Sequence, residues 1–206
     1  MLAYGPRPKG DGGCGSVGRR EIALTFDDGP DPSTTPELLD LLDRRGITAT
    51  FFVVGKKAER YREIMQQIVA AGHDLGNHSY THSEPRDTST AVFLEEVRRT
   101  RDLVEEISNR PCRLVRPPKG ALTAGKLLGL WREKMTVALW SVDPMDYRME
   151  SRQQALEWGV GYSPRGGDIV LLHDNHPWAR HIVSTLAENE CHADKISYVR
   201  LSKWAQ

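Results

Sequence analysis

The stretch Arg20-Glu21-Ile22-Ala23-Leu24-Thr25-Phe26-Asp27-Asp28-Gly29-Pro30 runs from an apolar segment directly into two carboxylates and a turn. Neighbouring residues on a strand point to opposite faces. Two successive aspartates can therefore serve one site only if the strand ends and twists between them, and Gly29-Pro30 supplies that ending. Taken alone, the pair is equally consistent with an ordinary turn.

The same pattern recurs downstream. Candidate strands at 22–26, 48–54, 74–77, 113–116, 136–142, 168–173 and 197–201 alternate with candidate helices near 36–45, 57–71, 89–108, 123–133, 150–160 and 178–189. In the first helix Thr35 can cap, Pro36 suits the first turn, Leu38, Leu39, Leu41 and Leu42 form a core stripe, and Gly46 offers a left-handed stop. In the helix near 89–108, Phe93, Val97, Leu103, Val104 and Ile107 recur with helical periodicity. Regular alternation of strand and helix predicts βα units around a mostly parallel sheet. Periodicity alone fits either a small barrel or a doubly wound sheet, and both place chemistry at the C-terminal ends of the strands.

Composition narrows the classes of partner. The chain has 206 residues, with 28 Lys+Arg against 28 Asp+Glu. That balance gives no electrostatic case for nucleic acid or an anionic membrane surface. Hydrophobic residues make up 39% and the mean hydropathy is −0.50, and no apolar run reaches the roughly 20 residues of a membrane span. Residues 5–18 hold six glycines and two prolines, so 1–19 reads as a flexible lead-in and 20–206 as one domain. Cys14, Cys112 and Cys191 are too few and too scattered for a disulfide framework. The N-terminus lacks the apolar core of a secretory signal, as a processed secreted chain would too, and the expectation is a cytoplasmic protein.

Four further polar clusters fall where candidate strands stop. His78 and His82 in Asn77-His78-Ser79-Tyr80-Thr81-His82 are four apart and can face one metal. No glutamate follows His78, so the HExxH pattern of zinc proteases is absent. With Asp28 they would make a three-ligand site with an open position. The others are Arg116-Pro117-Pro118-Lys119-Gly120, Trp140-Ser141-Val142-Asp143-Pro144-Met145-Asp146-Tyr147, and Leu171-Leu172-His173-Asp174. Singly, most of these read as turns or structural residues; together, in order and at strand ends, they read as one site.

In these five motifs the sequence resembles the polysaccharide deacetylase, or NodB-homology, family of carbohydrate esterases, over roughly residues 20 to 203. The resemblance implies a distorted (β/α) barrel of about seven parallel strands, with the active site at their C-terminal ends. It implies a metal-dependent hydrolase that removes N-acetyl groups from acetamido sugars. Asp28, His78 and His82 would bind one divalent metal, most often zinc in the family and in some members cobalt, nickel or manganese. Asp27 would be the base toward the metal-held water and His173 the acid that protonates the departing amine. Arg116 would pair with Asp27, Asp143 would orient His173, Leu171 and Trp140 would wall an acetyl-methyl pocket, and Pro118 and Lys119 would contact substrate, Lys119 through its backbone N–H.

Those roles suit the chemistry. An amine leaves poorly unless protonated, so amide hydrolysis needs an acid opposite the base. A carboxylate base and an imidazole acid meet both demands. Many family members carry an aromatic residue where this chain has Lys119, and Trp where it has Tyr147. Lys119 would put a cation at the mouth of the site, which leads to the expectation of a substrate with a nearby phosphate or carboxylate, unless the side chain turns to solvent. Two other readings use the same fold: an O-acetyl carbohydrate esterase, and a non-catalytic carbohydrate-binding protein. Degenerate members of the second kind lose a catalytic position, whereas this chain keeps them all. A branch acting on cyclic ureides alters the motifs that are intact here.

Overall fold

The computed structural model describes residues 2–3, 20–188 and 196–205. Eight strands are described: β1 (Leu2–Ala3), β2 (Arg20–Asp27), β3 (Thr50–Val53), β4 (Asp74–Asn77), β5 (Leu114–Val115), β6 (Thr136–Ala138), β7 (Ile169–His173) and β8 (Ile196–Tyr198). Seven α-helices lie between them: α1 (Thr35–Arg44), α2 (Gly55–Arg60), α3 (Arg62–Ala70), α4 (Thr90–Ser108), α5 (Ala124–Arg132), α6 (Arg152–Gly161) and α7 (Trp178–Glu188). The strands pair in the order β1-β6-β5-β4-β3-β2-β7, with β8 on β2, and every pairing is parallel. A single parallel bridge, Val142 to Val170, ties the continuation of β6 to β7 and curls the sheet into a distorted barrel.

The alternation within β2 separates two cores. Leu24 and Phe26 face outward into an apolar layer with Leu38 and Leu42 of α1 and Ile182 and Val183 of α7. Ala23 faces inward with Phe52, Leu114, Ala138 and Ile169. Both faces are dry, which is why β2 and β7 read as nearly continuous apolar runs rather than alternating ones. At Gly76, a Cβ would come within 2.5 Å of the Phe52 ring, so a side chain there would collide with the interior packing.

Several boundaries differ from expectation for identifiable reasons. The strand expected over 136–142 stops at Ala138, because the Arg116 guanidinium takes the carbonyls of Ala138 and Leu139 at 3.1 and 3.2 Å. The helix expected over 57–71 is two, broken at Tyr61, whose φ of −117° and ψ of 50° leave helical space. Thr35 does not cap α1; Thr34 occupies that position, and the Thr35 hydroxyl is committed to the Asp31 N–H and the Asp174 carboxylate. Gly46 does adopt the left-handed conformation, at φ +62°. Leu2 and Ala3, expected in a flexible lead-in, pair with β6; the rest of that lead-in, with Cys14 and Cys191, lies outside the described residues. Cys112 is buried and free, and burial pushes its thiol up to about 12.

Candidate active site

The inward alternation of β2 ends on Asp27, which is 3% exposed. Asp28 then takes φ +71°, a left-handed conformation uncommon outside glycine, and this turn brings its carboxylate to the same mouth. Gly29 follows under the Asp174 carboxylate, where a Cβ would lie 2.1 Å from both oxygens. Asp174 Oδ2 accepts from the Thr35 hydroxyl at 2.7 Å, and its backbone carbonyl accepts from Thr34. The carboxyl thus fastens the loop after β7 to the start of α1. Burial pushes Asp174 up to about 7.

Arg116 is fully buried and every nitrogen of its fork is used. Besides the two carbonyls, Nη1 donates to Thr25 Oγ1 at 2.8 Å and to Asp27 Oδ1 at 2.7 Å. Its plane lies 4.2 Å over the Phe52 ring. The Arg116 backbone carbonyl accepts from His78 Nδ1 at 2.7 Å. That contact fixes the imidazole tautomer and leaves Nε2 as a donor atom toward the mouth.

The loop after β4 is shaped by side chains. Asn77 Oδ1 accepts from the Ser79 N–H at 2.9 Å, Ser79 Oγ accepts from the His82 N–H at 3.1 Å, and Glu96 of α4 accepts the N–H groups of Tyr80 and Thr81 at 3.2 and 3.1 Å. The loop returns His82 beside His78, with Nε2 of the two rings 3.3 and 3.4 Å from Asp28 Oδ1. One ligand atom from each of the three residues lies within 4.8 Å of the others. Asp28 Oδ1 is buried with no hydrogen-bond partner among the described residues, an arrangement that costs free energy unless a cation completes it. Burial raises the Asp28 carboxyl, but the closeness and charge of His78, with His82 and His173, more than offset it and hold the group well below the usual range. Two imidazole nitrogens and one carboxylate suit a borderline divalent ion such as zinc.

Beside β2, Leu171 and His173 share the inward face of β7 with Ile169, and His173 is in register with Asp27. Asp143, expected to orient His173, does not: its Oδ1 accepts from the Met145 N–H at 2.8 Å, closing its own turn. Asp146 takes the role. Its Oδ1 lies 2.7 Å from His173 Nδ1 and its Oδ2 accepts from the His173 N–H at 2.8 Å. Burial lowers the basicity of His173, and the hydrogen bond and charge of fully buried Asp146, with Asp27 and Asp28, outweigh that and raise its pKa.

These groups open into one cleft of about 510 Å³ lined by Asp27, Asp28, His78, His82, His173 and Asp143, with Lys119, Trp140, Tyr147, Arg148 and Leu171 completing the wall. Pro118, expected against substrate, does not line it; the residue is buried at the start of a short 3-10 turn whose next residue, Lys119, has φ +55°. The Lys119 ammonium pairs with Glu84. Asp146, Asp174 and Glu96 are the site residues that motif reading passed over. A signal for Asp146 was present: Asp-Pro at 143–144 favours an Asx-type turn that uses up the first aspartate.

Residues 15–135 match the family described as polysaccharide deacetylase. The chain is 36% identical over 156 residues to the peptidoglycan-N-acetylmuramic acid deacetylase PdaC of Bacillus subtilis, covering 76% of this chain and 32% of that protein. It is 34% identical over 161 residues to a chitooligosaccharide deacetylase of Bradyrhizobium, covering 78% of this chain and 73% of that one. The chain thus spans about a third of the length of the first relative. The solved structure of the Bacillus subtilis PdaC peptidoglycan deacetylase superposes with a TM-score of 0.80 at 32% identity, over 91% of this chain and 90% of that one.

Proposed function

This chain belongs to the polysaccharide deacetylase family, and on that premise we propose that it removes N-acetyl groups from acetamido sugars of a glycan or glycoconjugate. The observation that carries the proposal is the meeting, in one cleft, of the Asp28–His78–His82 cluster and the His173–Asp146 pair. Asp28, His78 and His82 would hold a divalent metal, and the orphaned Asp28 oxygen and the preset His78 tautomer fit that assignment. Such an ion, when bound, lowers the pKa of water and polarises an acyl oxygen.

The protein's own groups supply the rest. Asp27 keeps one oxygen on Arg116 and turns the other toward the mouth, 3.6 Å from His78 Nε2, where it can accept a proton from attacking water. The Arg116 contact holds that carboxylate in one orientation. His173 donates Nδ1–H to Asp146, so Nε2 is the atom left to protonate the departing nitrogen. The raised pKa favours the protonated ring. The Lys119 N–H, carried on a left-handed backbone at the cleft wall, would hold the acyl oxygen as charge develops on it. Leu171 and Trp140 would enclose the methyl group.

An acid held this firmly favours amide over ester cleavage, because an alkoxide departs with less help than an amine. The test is acetate release from chitooligosaccharides and peptidoglycan fragments by the metal-loaded protein and by Asp27→Asn. Loss of the base should lower kcat by about 10²–10⁴-fold. Release that is indifferent to Asp27→Asn would overturn the assignment.

A further inference from the structure

Among the described residues, Lys119 and Arg148 line the cleft, Arg116 lies buried beside it, and Lys57 bonds the Asp28 carbonyl; all but Arg148 are already committed. Arg116 is buried with its fork filled by Asp27, Thr25 and two carbonyls. Lys119 is paired with Glu84, so the cation expected to select an anionic substrate is neutralised by its own neighbour. Arg148 differs. It lines the same cleft and is exposed, and among the described residues no carboxylate lies within 4.0 Å of its guanidinium. Asp143 lines the cleft too but spends an oxygen on the Met145 N–H.

The position of Arg148 is set by the turn that holds the acid. Asp146–Arg148 is one 3-10 turn: Asp146 grips His173, Tyr147 packs edge-on to the His173 ring at 5.2 Å, and Arg148 stacks over Tyr147 at 5.5 Å. Stacking on the ring holds the guanidinium on the acid's side of the cleft. In the deacetylation proposed above, the sugar is the leaving group and departs on that side.

We propose that Arg148 is a specificity-determining residue that reads an anionic oxygen group, a carboxylate or a phosphate, carried by the same sugar that loses its acetyl group. The planar fork can take two oxygens of either group at once, which a lysine ammonium cannot do. The assignment rests on the deacetylase reading for its orientation, since the sugar must leave toward His173.

The test compares three acetamido substrates of matched length: a neutral chitooligosaccharide, a fragment carrying a muramic carboxylate, and a phosphorylated oligosaccharide. Steady-state acetate release gives kcat and KM, and calorimetry gives affinity without needing turnover. Arg148→Gln should raise KM and Kd for the anionic substrates about tenfold, the size of one lost charge-assisted pair. It should leave kcat within about twofold. Arg148→Lys should recover part of the difference, and raising the salt should narrow it. The carboxylate and phosphate arms show which anion is read. An equal effect on neutral and anionic substrates would overturn the proposal, as would no preference in the unmodified protein or a larger loss of preference in Lys119→Gln. Absence of acetate release from every substrate would instead count against the deacetylase reading, and the calorimetric ratios would still decide the role of Arg148.

Discussion

Asp146 and Asp143 stand three residues apart in one turn and do different work. Asp143 closes the turn, while Asp146 holds both the backbone and the ring of His173. Because Asp146 raises the His173 pKa, the protonated ring persists to higher pH, and with His173 as the proposed acid, activity should fall as pH rises through that pKa. Asp146→Asn removes the charge, so the alkaline limb of the kcat profile should move to lower pH; Asp143→Asn should leave the limb in place. A pH–rate series on both variants checks this. Arg116 offers the complementary test of stability. Removing it strands Asp27 uncompensated in the interior, so Arg116→Ala should cost about 3–5 kcal/mol in chemical denaturation.

Asp174 works at the level of elements, clamping the loop after β7 to α1 above Gly29. Its folded pKa of about 7 lies above the ordinary carboxyl value of 3.8, so its contribution to stability is complete below about pH 4 and is lost as pH rises toward 7. Asp174→Asn should therefore gain stability on the unmodified protein between pH 5 and about 8. Thermal midpoints at the two ends of that range measure it. Gly29→Ala drives a methyl group into the same carboxylate and should lower the midpoint and weaken zinc binding together. The two elements that position Asp27 and His173 were the most legible in the sequence, because β2 and β7 are dry on both faces and end in polar residues. Less legible was whatever depended on hydrogen bonds between distant segments. Arg116 stops β6 from 22 residues upstream, and Glu96 shapes the histidine loop from α4; neither contact leaves a periodic trace. The choice of Asp143 over Asp146 failed for a local reason, since strand-end position favoured the first aspartate while its turn consumed it.

Across the whole molecule, parallel strands deliver Asp27, His78, Trp140 and His173 from the ends of β2, β4, β6 and β7 to one mouth, with Arg116 buried after β5. The β2–β7 pairing sets Asp27 and His173 side by side, and the loop after β4 adds His78 and His82 beside Asp28. Periodicity could not choose between a barrel and an open sheet, because the bridge from Val142 to Val170 that curls the sheet involves a single residue pair. A ligand that binds only the folded site stabilises it by mass action. Zinc should therefore raise the thermal midpoint, and much less so in His82→Ala. The most direct test of the account is acetate release from a chitooligosaccharide by protein stripped with a chelator and then resupplied with zinc. Release should stop on stripping and return with the metal; release that continues undiminished in the stripped protein would contradict a metal-dependent mechanism.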